Sequence, residues 1–195
     1  MTEDRTTYHH GNLREAALAA ARAIIEAHGH DALSMRELAV QIKVAPSALY
    51  RHFSNRVDLM MAVANETHRE LGTQLSVANA AEGDPWDALE TACRAFLSFS
   101  RANPGLFRMM YDPELMAAPD AAARLDAQHL TYGVLLELFH RPLPQASPAQ
   151  LRLRLVSMWS TLYGYASTQA NGIMHGYMTE GLTAYDMEHA VLEAA

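Results

Sequence analysis

The 195-residue sequence has almost no cysteine: Cys93 is the single thiol, so no disulfide framework can form within the chain. This scarcity is typical of a protein from a reducing compartment. Because Cys93 lies in an apolar stretch with helical spacing, we expect it to be a small buried side chain.

Long apolar runs are missing as well. None approaches the roughly 20 residues that span a bilayer, and the most apolar stretch, 155–170, is interrupted by serine, threonine and glutamine. Residues 1–12 are polar and lack the apolar segment of a secretory signal. We therefore predict a cytoplasmic protein with no membrane contact.

The sequence also lacks the two-residue alternation of β-strands and any internal repeat. Apolar residues recur instead at spacings of three and four, and proline, glycine and capping residues separate the periodic stretches. The predicted fold class is all-α, with a core large enough to be stable without disulfides or bound metals. Helices are expected near 13–28, 35–42, 46–52, 56–80, 85–103, 105–112, 120–140, 148–173 and 183–194.

The net charge of −7 is unevenly distributed along the chain. Residues 1–60 carry seven basic and seven acidic side chains and five of the ten histidines, whereas residues 61–195 carry eight basic and fifteen acidic ones. Such a pattern fits a protein with one end facing a polyanion while the rest repels it. Chance variation in surface charge gives the same pattern, so charge alone decides nothing.

Two short predicted helices follow a longer first one, and local signals mark their starts. Ser34 and Glu37 have the spacing of a capping box, and Pro46 suits the first position of the next helix. Asn55, with Asp58 three residues later, is typical of an N-cap. Two short helices joined by a tight turn indicate a helix-turn-helix at 34–52, whose second helix would enter the major groove of DNA.

The second short helix carries side chains suited to reading DNA. Ser47 and Ala48 are small enough to let the backbone approach the bases, and the next two polar positions, Tyr50 and Arg51, can reach bases or phosphates. Leu49 and Phe53 are expected to anchor the helix to the core.

Four segments together resemble the N-terminal domain of the TetR family: YHHGNLR at 8–14, LSMRELA at 33–39, ALYRHF at 48–53 and RVDL at 56–59. The resemblance implies that the first three helices bind DNA. It implies that a fourth helix connects them to a C-terminal domain that dimerises and usually binds a small molecule. In that family, ligand binding moves the fourth helix and releases the operator.

Three positions depart from the family pattern. Lys43 replaces the turn glycine and is expected at positive φ, Ala45 replaces a Ser/Thr cap, and Arg56 stands where lysine is common. For Arg36 a solvated position is as compatible with the sequence as a phosphate contact, and a metal role for His9 and His10 lacks a third ligand nearby. The predicted DNA contacts are Arg36, Lys43, Ala45, Pro46, Ser47, Ala48, Tyr50, Arg51, His52 and Arg56.

The predicted domains are 1–55, which binds DNA, and 56–195, which binds an effector and dimerises. Residues 96–111, together with Trp159 through Gly164, resemble a TetR subgroup with an aromatic-rich helix and a later Trp–His–Gly motif, with tyrosine replacing the histidine. Large apolar side chains suit a pocket for a hydrophobic or aromatic effector, although any one of them can be plain core. The pocket candidates are Phe107, Met110, Tyr111, Tyr132, Trp159 and Tyr163. The interface candidates, which a two-fold protein on a palindromic operator requires, are Leu151, Leu155, Leu162 and Val191.

The resulting prediction is a sequence-specific transcriptional regulator, a homodimeric repressor released from double-stranded operator DNA by a small-molecule effector. It needs no cofactor, metal or catalytic residue. Two alternatives stay open: an architectural DNA-binding protein without an effector, and an enzyme working in the helical body. The histidines available to such an enzyme, none of them paired at metal-ligand spacing, are His129, His140, His175 and His189.

Overall fold

The computed structural model describes residues 12–118 and 126–195, and within these ranges all regular structure is helical. The all-α prediction is therefore confirmed. Residues 8–11, including His9 and His10, and the expected helical start at 120–125 lie outside the described ranges. The helices are α1 Asn12–His28, α2 Met35–Gln41, α3 Pro46–Tyr50, α4 Arg56–Ala80, α5 Pro85–Ala102, α6 Pro104–Met110, α7 Pro113–Met116, α8 Asp126–His140, α9 Pro148–Ala170 and α10 Ala184–Ala194; single 3-10 turns lie at His30–Ala32 and Gly176–Met178.

Side-chain caps begin the helices where the sequence indicates. Ser34 Oγ accepts the Glu37 amide at 3.4 Å, one half of the expected capping box, and Asn55 Oδ1 accepts the Asp58 amide at 2.8 Å. Helix α7 was not predicted, because Pro113 resembles a separator. Asp112 instead caps it and places the proline at the first helical turn.

The turn between α2 and α3 requires a left-handed residue, and Lys43 supplies it with φ 58°. The Lys43 amide donates to Val40 O at 3.1 Å, and the Val44 amide donates to Ala39 O at 2.9 Å. These two bonds form a Schellman motif, in which the residue after the cap is usually glycine. The predicted positive φ at Lys43 is thus confirmed.

Helix α4 is the element on which the others assemble. It packs against α1, α5, α6, α7 and α8, and it buries an apolar stripe that includes Leu59, Val63, Leu71 and Leu75. We call α1–α3 the head and α4–α10 the body. The buried residues of the head and of the body form one continuous cluster, so the two regions share a core.

The end of α1 lies directly against the start of α6. Gly105 has no side chain there: a β-carbon would overlap the carbonyl oxygen of Ile25 and lie 2.8 Å from Glu26 Cα. The Glu26 carboxylate accepts the amides of Gly105 and Leu106 at 3.4 and 3.1 Å. The first amides of a helix have no acceptor within the helix, and here Glu26 provides one. The contact therefore joins the head to the body and also caps the start of α6.

Cys93 is buried in α5, with its Sγ 3.4 Å from the Sδ of Met158 in α9. Burial, with a smaller contribution from Glu90, raises the pKa of the thiol to about 12. The expectation of a small buried side chain is therefore confirmed.

Replacing Gly105 with alanine should destabilise the protein by about 1–3 kcal/mol, because the new methyl group meets backbone atoms that cannot rotate away. Urea unfolding at fixed protein concentration measures the change. Gly133→Ala is the matched control: its β-carbon meets nothing within 4 Å, so helix propensity should leave stability unchanged or raise it by up to about 1 kcal/mol. Equal stability of the two variants would contradict the close approach at Gly105.

Cys93 should resist a thiol reagent in the folded protein, because at pH 8 only about one thiol in ten thousand is ionised and the sulfur is covered. We expect stoichiometric reaction with a disulfide reagent in denaturant and a rate lower by at least about 100-fold without it. Rapid reaction of the native protein would contradict the burial.

Candidate functional site

The surface of the helix-turn-helix carries the side chains that the sequence indicates for DNA. Leu49 and Phe53 are buried and hold α3 to the rest of the head, which confirms their predicted anchoring role. The Arg14 guanidinium lies 5.6 Å from the centre of the Phe53 ring, so α1 also contacts the end of α3. Of the predicted contacts on this helix and its flanks, Ala48 is half-buried and the exposed ones are Ala45, Pro46, Ser47, Tyr50, Arg51 and His52.

Two further cations lie beside α3. Arg36 is exposed on α2, and Lys43 is exposed on the turn that joins α2 to α3. Helices α2 and α3 pack against each other, so both cations belong to the same part of the head as Tyr50 and Arg51. This arrangement offers aromatic, hydroxyl and cationic groups around the exposed start of a short helix, the groups that contact bases and phosphates.

Arg56 differs from the other predicted contacts because its guanidinium is occupied within the chain. It donates to His30 O at 2.8 Å, to Leu33 O at 3.1 Å and to a carboxylate oxygen of Glu114 at 2.6 Å. Arg56 is the first residue of α4, so its bonds to His30 O and Leu33 O connect the body to the head. Its bond to Glu114 connects the start of α4 to α7. Its partners lie 26, 23 and 58 residues away, which is why sequence spacing does not reveal this arrangement.

A second side-chain contact connects the head to the body. His30 Nε2 lies 2.8 Å from Asp112 Oδ2, and both side chains are largely buried. Asp112 directly follows Tyr111, whose ring lines a cavity that is partly open to the surface. Asp112, which contacts the head, is therefore adjacent in the sequence to a residue that lines the cavity.

The cavity has a volume of about 260 Å³ and lies between α4, α5, α8 and α9, with Tyr111 at the end of α6. Three of the six predicted pocket residues, Tyr111, Tyr132 and Trp159, line it. The sequence did not single out the other lining residues as pocket residues: His68, Leu71, Leu75, Phe96, Gln128, His129, Thr131, Leu135, Leu155 and Val156.

The other predicted pocket residues are not among those that line this cavity. Phe107 and Tyr163 contact the Tyr111 ring, with ring centres 5.2 and 4.7 Å away. Tyr163 also stacks on Trp159 at 5.0 Å, whereas Met110 is fully buried in the core. These aromatic contacts hold the rings that form the cavity wall.

His68 is the polar group that sequence reasoning missed. Its side chain is only 2% exposed, and neither ring nitrogen has a hydrogen-bond partner among the described residues. Burial lowers its pKa to about 4, so the imidazole is neutral at physiological pH. Its spacing of three and seven residues from Leu71 and Leu75 places it on the buried stripe of α4, and that periodicity is the signal that could have revealed it.

The predicted dimer-interface residues require a correction. Leu151, Leu155 and Leu162 are buried within the single chain, and Val191 packs partly against the same core. They face inward because α9 packs this apolar stripe against α5 and α8. The outer sides of α8 and α9 instead expose Leu130 and Leu153, at 69% and 72%, whereas Val156, 58% exposed, lies where the cavity opens to the surface.

The four histidines considered for an enzyme are spread over the body. His129 lines the cavity, His175 stacks on Tyr177, and His189 lies 3.4 Å from Glu193, while His140 is exposed at the end of α8. In the described ranges no three metal-binding side chains come together, and no helix there combines the length and apolarity needed to cross a bilayer.

Comparison with known families matches both parts of the chain. Residues 17–63 match the family described as bacterial regulatory proteins, tetR family, and residues 89–193 match the tetracyclin repressor-like C-terminal domain. The second match alone spans more than half of the chain.

Known proteins give a consistent result. The HTH-type transcriptional regulator Rv0681 of Mycobacterium tuberculosis is 28% identical over 177 residues, covering 87% of this chain and 75% of that protein. The nucleoid occlusion factor SlmA of Photobacterium profundum is 29% identical over 110 residues, which span just over half (56%) of each protein.

Solved structures share the fold over nearly the whole chain. A protein of unknown function from Rhodococcus sp. RHA1 is 28% identical with a TM-score of 0.77, and the match covers 97% of this chain and 96% of that one. The TetR family regulator PfmR of Thermus thermophilus, 18% identical with a TM-score of 0.65, matches 91% of this chain and 97% of its own. With its helix-turn-helix head and its helical body both matched, the chain belongs to the TetR family and is a DNA-binding transcriptional regulator.

Proposed function

We propose that the protein is a cytoplasmic repressor that binds a palindromic operator as a homodimer and leaves it when a small hydrophobic or aromatic effector occupies the cavity. The observation that carries the proposal is the geometry of α3. Buried Leu49 and Phe53 fix the helix while Ser47, Tyr50 and Arg51 stay exposed. A helix held from behind in this way can enter the major groove without unfolding its own support.

We propose that the predicted residues of the helix-turn-helix contact DNA, with Arg56 as the exception. Around α3, Ser47, Tyr50 and Arg51 are proposed to contact bases or phosphates, and Arg36 and Lys43 to contact phosphates. Arg56 already bonds to three groups of the chain. We therefore propose that it orients the head and affects DNA binding only indirectly, without contacting the DNA.

The partner that we propose for the outer faces of α8 and α9 is a second copy of this chain. These helices pack side by side and expose Leu130 and Leu153, large apolar side chains that a monomer leaves in water. A two-fold contact between such faces would hold two heads at a fixed distance, as two operator half-sites require.

The effector role rests on the position of the cavity beside the contact between head and body. Tyr111 lines the cavity, Asp112 pairs with His30 of the head, and Glu114 pairs with Arg56. A ligand that displaces Tyr111 would therefore act on the contact between Asp112 and His30 and on the Arg56–Glu114 ion pair, which lie where the body meets the head. The apolar cavity supports this regulator over an architectural protein without an effector.

Replacing Tyr50 or Arg51 with alanine should weaken operator binding by about 1–3 kcal/mol, because each loses a contact made from an exposed position. The operator is first selected from random duplexes at fixed salt, where we expect a two-fold symmetric site. Gel retardation on that site then measures affinity.

Arg94→Ala is the matched control, since Arg94 lies in the body and pairs with Glu90. It should bind like the wild type, and all three variants should unfold at the same urea concentration. Selection of no sequence, or wild-type affinity in both head variants, would contradict the proposed interface.

Replacing Leu153 with arginine should convert the dimer into a monomer of 21.5 kDa, because charge repulsion and lost apolar area act twice across a two-fold axis. Light scattering after size exclusion measures the mass. Val77→Arg adds the same charge at an equally exposed position on α4 and should leave the dimer intact. A dimeric Leu153→Arg variant would place the interface elsewhere.

A further inference from the structure

The cavity is lined almost entirely by apolar side chains, and its polar groups differ in what they already bond. Thr131 Oγ1 donates within the chain, with Ala127 O at 2.9 Å and His68 O at 3.1 Å. The Tyr111 ring packs against that of Trp159, with ring centres 5.8 Å apart. Three further polar residues of the lining are partly or largely exposed: Gln128, His129 and Tyr132. His68 differs from them because both of its ring nitrogens are buried without a partner in the described part of the chain.

An unpartnered buried imidazole is costly, because it has lost its hydrogen bonds to water and gained none. An apolar side chain of the same size would fill the position on α4 at lower cost. The packing of α4 therefore does not account for a histidine at position 68. A ligand that bonds to it would.

Charge and size restrict that ligand further. Among the described residues that line the cavity there is no lysine, arginine, aspartate or glutamate, and His129 is exposed. A charge buried beside His68 would therefore lack a partner among these residues. The volume of about 260 Å³ exceeds the roughly 150 Å³ of a cavity that holds benzene, and it lies below the range for drug-sized molecules.

We propose that the cavity binds an uncharged ligand built on a single substituted aromatic ring, whose one hydroxyl group forms a hydrogen bond with His68. The proposal rests on the effector role proposed above and gives that effector a chemical class. Burial keeps the imidazole neutral, with a pKa of about 4, and a neutral imidazole has one acceptor nitrogen for the hydroxyl proton. The rings of Tyr111 and Trp159 provide aromatic walls for the ligand ring.

Three probes with the same propyl-substituted ring test this proposal by calorimetric titration of the full chain without DNA. They are 4-propylphenol, propylbenzene and 4-propylbenzoate. We expect the phenol to bind and the benzoate to bind at least about tenfold more weakly than the phenol, because its charge has no partner.

The decisive quantity is the ratio of the propylbenzene Kd to the 4-propylphenol Kd. This ratio should be about tenfold higher in the wild type than in His68→Phe, since only the wild type can bond to the hydroxyl. His68→Leu is a second variant, in case phenylalanine does not fit. Both should keep binding propylbenzene and should unfold at or above the wild-type Tm, because an unpartnered polar group has been removed.

His140→Phe is the matched control, because it makes the same replacement at an exposed position that does not line the cavity. It should leave the ratio unchanged. The proposal is overturned by a ratio that neither His68 variant lowers, by tighter binding of the benzoate, or by absence of binding of the phenol.

Release of the selected operator by 4-propylphenol is measured separately by gel retardation. Binding that depends on His68 but releases no DNA would support the ligand class and contradict the effector role. Release by a probe that binds the wild type and the His68 variants equally well would support the effector role and overturn the ligand class.

Discussion

The approach of α1 to α6 is the contact on which the relation between head and body depends. Gly105 allows the two backbones to touch, and Glu26 supplies the acceptor that the first amides of α6 need. Because α6 is short and ends beside Tyr111, the same contact also positions one wall of the cavity. A DNA-reading surface and a cavity are thus joined through seven residues of helix rather than through a flexible linker.

The polar groups near the contact of α1 with α6 form hydrogen bonds within the chain. The His68 ring, in the wall of the cavity, forms none with the residues that the structure describes. Arg56 bonds to two carbonyls and a carboxylate, and His30 pairs with Asp112. These contacts orient the head because separating them would leave partly buried polar groups without partners. His68, by contrast, is buried and unpartnered among the described residues, and this difference is what separates a structural group from a candidate ligand contact.

Most helices could be predicted because their starts and ends are local events. Ser34 and Asn55 cap the helices that follow them, and Lys43 takes the positive φ that the turn requires. Helix α7 was missed although its start is equally local: Asp112 caps the amide of Glu114 and Pro113 lies in the first turn, but the proline was interpreted as a separator. The end of α9 came at Ala170 rather than 173, because Gly172 takes positive φ.

By itself, the sequence determined the helix-turn-helix and the side chains on its surface, because caps, turns and a short amphipathic helix act over fewer than about ten residues. Only the tertiary structure decided the rest. It turned Leu151, Leu155 and Leu162 inward, although the sequence interpretation had assigned them to a dimer interface. It also gave the Arg56 guanidinium hydrogen-bond partners within the chain and placed His68 in the wall of a cavity. Burial and long-range hydrogen bonds depend on which helices meet, and neighbours along the chain do not specify that.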